Sequence, residues 1–194
     1  MGDLHFYFHP NIRLGVVYSY LQLTFGLMHL AGALDKDDNF DWTKGAPQNS
    51  PLPKQVADFA NGTVLPYYIQ LLEQEEEKEV IESTLERLRD VCEQFGPAAV
   101  ESQLEKLVSL IIKFLDKKAF CQTKMLDDED PDDLEDVADD DDDDEEEEEG
   151  DDGIDHDELI LGNISDLIIA LARAYGNEFA PYFEKIAPHL VAYT

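Results

Sequence analysis

Positive charge is what this chain has least of: 14 Lys and Arg stand against 45 Asp and Glu, a formal net charge of −31 over 194 residues. So negative a molecule repels phosphates, which excludes nucleic acid as a direct ligand and makes basic proteins or basic peptide segments the natural partners. Cysteine is nearly absent as well. Cys92 and Cys121 fall on apolar helical faces without paired spacing, so no disulfide framework is expected and a reduced compartment is. Catalytic signatures are missing: the sequence holds no phosphate loop, no Gly-x-Ser-x-Gly, no His-Glu-x-x-His and no Cys-x-x-Cys. It reads as a non-enzyme without a cofactor. His5 and His9 share i, i+4 spacing but lack a third ligand, and the dense carboxylates lack the EF-hand glycine and closing glutamate, so no specific metal site is expected.

Targeting signals are lacking too. Met1 to His9 has neither a basic leader nor a small-residue cleavage site, and Phe6 stands where a myristoylation signal wants Ser or Thr. One apolar run is long: after Arg13, 21 residues up to Leu34 carry no Asp, Glu, Lys or Arg, enough to cross a bilayer. Gln22, His29, Ser19 and Thr24 within it, and Asp35, Asp37 and Asp38 directly after it, favour a helix buried in a helical stack over membrane insertion. Asn61-Gly62-Thr63 and Asn163-Ile164-Ser165 match glycosylation acceptors, but a reduced compartment makes them chance matches.

Acid, by contrast, is concentrated. From Asp127 to Glu158, 24 of 32 residues are Asp or Glu and none is Lys or Arg, which leaves 21 acidic against 14 basic residues elsewhere. Its centre is unbroken: Asp139, Asp140, Asp141, Asp142, Asp143, Asp144, Glu145, Glu146, Glu147, Glu148 and Glu149. Mutual repulsion predicts a solvated, disordered loop there. Because patterned apolar sequence lies on both sides, the run is an insertion held at both ends rather than a tail, as a loop presenting charge to a basic partner would be. These eleven carboxylates are the candidate binding site.

The rest of the chain has helical periodicity. Helices are expected over about 10–34, 54–72, 75–95 and 97–118, with an irregular Pro- and Asn-containing connection at 35–53, the acidic loop at 127–158 and further helices in 159–194. The second helix is expected to be interrupted near Gly62 and bent near Pro66. Ile81, Leu85, Leu88, Val91, Cys92 and Phe95 form one apolar stripe. That register leaves Glu82, Glu86, Arg89 and Glu93 on the outer face, where Glu82, Glu86 and Glu93 are possible contacts for a basic partner. Gly96 is positioned to end this helix in the left-handed region and Pro97 to open the next, giving two antiparallel helices joined by a tight turn.

Laid over itself at an offset of 80, the chain matches Phe95-Gly96 to Tyr175-Gly176 and, with the offset shortened by one residue, Leu104-Glu105-Lys106-Leu107 to Phe183-Glu184-Lys185-Ile186. Read as two pairs of helices per period, this implies an all-α helical solenoid with units of about 40 residues. The chain stops in the middle of a unit, which implies a piece of a longer protein, and Pro188 is expected to bend the last helix.

The block Leu161-Gly162-Asn163-Ile164-Ser165-Asp166-Leu167-Ile168-Ile169-Ala170-Leu171-Ala172, followed by Gly176-Asn177-Glu178-Phe179-Ala180-Pro181-Tyr182-Phe183-Glu184-Lys185, resembles HEAT repeats of the importin-β (karyopherin-β) superfamily. The nearest branch is the importin-four-like one, whose second-helix opening is similar to Tyr7-Phe8-His9-Pro10-Asn11-Ile12-Arg13. The resemblance implies a fragment of a nuclear import receptor with an armadillo-like helical fold, shuttling between cytoplasm and nucleus. It implies binding of basic cargo such as histones or ribosomal proteins, regulation by Ran-GTP, and nucleoporin contacts in the full-length protein. In relatives an acidic loop within one repeat touches Ran or cargo, the place that Asp139 to Glu149 occupies here. The competing expectation is an acidic, histone-chaperone-like or scaffold protein independent of Ran.

Overall fold

The computed structural model describes residues 9–34, 52–123 and 152–193, and every regular element among them is helical. In chain order these are α1 (Pro10–Leu30), α2 (Lys54–Phe59), α3 (Leu65–Gln74), α4 (Lys78–Phe95), α5 (Leu104–Leu115), the short α6 (Phe120–Thr123), α7 (Asp152–Tyr175) and α8 (Ala180–Leu190). A π-helical turn, Ala60–Val64, joins α2 to α3 without a break. It covers Gly62 and meets Pro66, which has no N–H to return to the carbonyl four residues earlier; widening the turn accommodates that missing bond.

Two layers run through the fold. In one, α1, α4 and α7 lie side by side. Tyr18 Oη is 3.4 Å from Ser83 Oγ, and the Phe25 and Phe95 rings meet edge-on at 5.0 Å. Lys78 reaches Asp157, Arg89 reaches Asp166 and Glu93 reaches Arg173. Residue numbers rise together along both seams, so the three helices are parallel. The second layer holds α2–α3, α5 and α8, linked by Glu73–Lys106 at 2.8 Å and Glu105–Lys185 at 2.9 Å. Helices that occupy the same position in successive units therefore stack in parallel, the arrangement of a HEAT-type solenoid. One continuous core of buried apolar side chains runs between the layers, with Tyr68, Leu88, Phe95, Leu107, Phe114 and Leu171 fully buried. Within it Thr24 and Thr84 donate to the carbonyls of Tyr20 and Val80, and Tyr68 of α3 donates to Val17 O of α1 at 2.7 Å.

Several expectations are corrected. Helix α1 ends at Leu30 rather than 34 because Gly32 turns left-handed (φ 62°), with Ala33 N donating back to Met28 O. At Gly96 φ is positive (74°) but ψ is −168°, so the backbone leaves extended rather than in the left-handed helical region. Pro97 opens only a 3-10 turn; a second follows at Glu101–Gln103, and α5 begins at Leu104. The side chain of Asn61 holds this connection, donating to Ala98 O at 2.7 Å and accepting from Ser102 N at 3.1 Å. The same bonds occupy the amide of the first glycosylation match. The offset of 80 carries α4 onto α7 and α5 onto α8, one helix pair rather than two, lengthened by the acidic insertion.

By length and composition, residues 156–193 pass for a membrane span among the described residues. Gly176 (φ 56°) divides them into α7 and α8, which pack into different layers. Helix α8 runs through Pro188 and ends at Leu190.

Both cysteines are buried and unpaired. Burial pushes the Cys92 thiol up to about 12 and the Cys121 thiol up to about 11, from an ordinary 9.0. The stability held in keeping them neutral is present below pH 9 and lost as pH rises through those raised values. Neither thiol should react with iodoacetamide at pH 8 in the native chain and both should react in guanidinium, as mass spectrometry would record; rapid native labelling of Cys92 would contradict its burial.

Candidate functional site

The acidic insertion leaves the described structure after Thr123, at the end of α6, and returns at Asp152, the first residue of α7. The candidate carboxylates Asp139 to Glu149 lie outside the described residues. The last part of the acidic stretch does not: Asp152 to Glu158, expected to belong to the loop, form the opening turns of α7.

Because α1, α4 and α7 are parallel, their N-termini share one end of the fold, and the insertion is rooted at that end. The connection between α3 and α4 supplies its most ordered feature. Glu75 is buried and takes Arg13 of α1 in a two-pronged ion pair, Nε to Oε2 at 2.6 Å and Nη2 to Oε1 at 2.9 Å. Its Oε1 also accepts from the backbone N–H groups of Glu76 and Glu77, at 3.0 and 3.1 Å. One carboxylate thus ties α1 to the entry of α4. Around it opens a cavity of about 290 Å³ lined by Arg13, Gln70, Leu71, Gln74, Glu75, Glu76 and Glu77. Glu76, Glu77, Glu79 and Glu158 are exposed about this end of the molecule.

Arg13→Ala should cost about 3–5 kcal/mol in chemical denaturation, because it leaves Glu75 buried without its cation, whereas the double change Arg13→Met/Glu75→Leu should recover most of that loss. A cost below about 0.5 kcal/mol for the single change would show that the pair is solvated.

Three helix-face residues were candidates for a basic partner. Glu82 lies 2.7 Å from His156 Nδ1 with 17% of its side chain exposed, and Glu93 pairs with Arg173 at 3.7 Å. Glu82 is therefore largely covered at the α4–α7 seam, which corrects its expected placement, whereas Glu93 stays exposed while it pairs across the seam. Glu86 pairs with the neighbouring Arg87 at 3.1 Å, and Arg89 bonds Asp90 at 3.0 Å. The seam also brings Lys78 Nζ to 3.5 Å from Asp157 Oδ1, an ion pair whose geometry makes no hydrogen bond, since that oxygen is buried without one. A helix inside a solenoid has two flanks covered by equivalent helices, so polar residues beside its apolar stripe meet the next unit.

No group of three His, Cys, Asp or Glu suited to a metal occurs among the described residues. What the arrangement can do is attract cations. Sequence reasoning missed Arg13 and Glu75 because they lie 62 residues apart, and Glu75 is one of three consecutive glutamates with no distinguishing neighbour.

No curated protein matches the chain at a significant level. Residues 88–194, more than half of it, match the protein family described as importin repeat 6. That match begins in the middle of α4 and takes in α5, the insertion, α7 and α8, the two units whose equivalent helices stack in parallel. The parallel stacking of equivalent helices and the family match agree: the chain belongs to the importin repeat 6 family, within the importin-β family.

Proposed function

We propose that this chain is part of an importin-four-like nuclear transport receptor that captures basic cargo, such as histones or ribosomal proteins, through Asp139 to Glu149 and gives it up to Ran-GTP. One observation carries this reading. The eleven-carboxylate run lies between the helix pair α4–α5 and the next pair, α7–α8, so folded helices of the solenoid hold the chain on both sides of it. A tethered polyanion draws Lys-rich segments from beyond contact distance and raises the association rate. Salt weakens the attraction, because exposed charges are screened beyond about 8 Å at physiological ionic strength. The exposed carboxylates Glu76, Glu77 and Glu79, rooted at the same end, extend the negative surface. Of the helix-face candidates, Glu86 and Glu93 retain enough exposure for shorter-range contacts, while Glu82 is largely covered. Shuttling between cytoplasm and nucleus, and nucleoporin contacts in a longer protein, belong to the same reading.

The deciding experiment is competition. A fluorescent Lys-rich histone-tail peptide is bound to the chain and Ran-GTP is then added. Release supports the transport reading. Retention of the peptide at saturating Ran-GTP overturns regulation by Ran through these repeats and favours an acidic chaperone or scaffold.

A further inference from the structure

The acidic insertion returns to the fold through the first turns of α7, and those turns are held differently from the rest of the helix. From Ile160 onward α7 commits an apolar residue to the core at every turn: Ile160, Ile164, Leu167 and Leu171 have no exposed surface. Between His156 and Leu159 no residue is buried, and Leu159 itself is half-exposed. The opening sequence, Asp152-Gly153-Ile154-Asp155-His156-Asp157, consists mostly of weak helix formers. Asp157 is the sixth residue of the helix, past the first turn in which a carboxylate gains from the helix dipole. Local sequence and core packing therefore do little to fix this end.

What fixes it is the seam with α4. His156 Nδ1 lies 2.7 Å from Glu82 Oε1, and Lys78 Nζ lies 3.5 Å from Asp157 Oδ1. The second contact is incomplete, because that aspartate oxygen is buried and accepts no hydrogen bond. A segment that buries no apolar side chain belongs to the low-stability end of a fold and opens locally at small cost. Closed, the seam leaves only 17% of the Glu82 side chain and 28% of the Asp157 side chain exposed. Open, it uncovers both carboxylates. A ligand rich in ammonium groups has more to bind in the open form, and a ligand shifts an equilibrium toward the state it binds better.

We propose that the turns of α7 ahead of Ile160 are a conditional helix, latched to α4 by His156–Glu82 and Lys78–Asp157, which a lysine-rich partner releases by taking the two carboxylates. Unlatching transfers residues 152–159 from the helix to the acidic insertion and lengthens its reach at the moment of capture. Because the coupling is reciprocal, anything that tightens the latch weakens capture by the same factor. The trigger rests on the basic-partner reading given above; the latch does not.

The test is hydrogen exchange read by mass spectrometry on the full chain at low salt, with and without a saturating oligolysine peptide. The peptide should speed exchange in fragments spanning 152–160 and leave 164–175 unchanged. Without peptide, Glu82→Gln and Asp157→Asn should each speed exchange at 152–160 about two- to fivefold, the worth of a partly exposed pair expressed as a ratio. In the double variant oligolysine should produce no further rise. Anisotropy of labelled oligolysine, measured alongside, keeps the two readings apart. Failure of the peptide to bind overturns the basic-partner reading and the release with it, whereas binding with unchanged or slowed exchange at 152–160 overturns the release alone. Variants that leave exchange at 152–160 unaltered, that speed it through the whole of α7, or that still respond to the peptide when combined, overturn the latch.

Discussion

Leu88→Ala is expected to destabilise the chain by about 2–5 kcal/mol, the range for truncating a buried leucine whose surroundings collapse only in part. Leu88 has no exposed surface, and it sits near the middle of α4, a helix flanked by α1 on one side and α7 on the other. Packing on two flanks limits how far the backbone can close over the vacated space. A urea titration should show a lower midpoint with an unchanged slope, since the surface exposed on unfolding stays the same. Glu86→Ala, on the same helix but partly exposed and paired only with its neighbour Arg87, should change stability by less than about 0.5 kcal/mol. If Leu88→Ala cost that little, the apolar stripe would not be the packing face.

The second large effect is on binding. Replacing Asp139 to Glu149 by an uncharged Gly/Ser linker should reduce the association rate for a Lys-rich peptide by roughly 10- to 1,000-fold at low salt, the span attributed to electrostatic steering. The difference between the two chains should shrink as salt is raised. Stopped-flow fluorescence at several salt concentrations measures both. Urea stability should be nearly unaltered, because the described core lies wholly in other residues. An unchanged rate would remove the acidic run from recognition. A large fall in stability would mean that the run is part of the folded core.

Much of this architecture was legible beforehand because its signals are local. The stripe from Ile81 to Phe95 gave α4 its buried face, and all six stripe positions are buried. Gly96 and Gly176, matched at the offset of 80, both take positive φ at equivalent helix ends. Pro66 and Gly62 marked a disturbance that is present as the π-turn. Legibility ended where a feature needed a distant partner. The spacing after Pro97 is compatible with immediate helix entry; Asn61, from another unit, holds the chain in two 3-10 turns until Leu104. Glu82 reads as part of a solvated face because periodicity separates apolar from polar flanks but does not say what packs on the polar one. His156, 74 residues further along, is what covers it.

The sequence alone determined that the chain is helical, where its apolar faces lie and that its acid is gathered into one insertion, because periodicity, glycine and proline placement and mutual charge repulsion act between near neighbours. Only the tertiary structure decided which helices stack, that equivalent helices run parallel, and that Arg13 and Glu75 join α1 to α4. An amphipathic stripe exposes the same apolar surface to every possible neighbour. The choice among neighbours depends on the shape of the whole stack and on ion pairs formed by residues more than sixty positions apart.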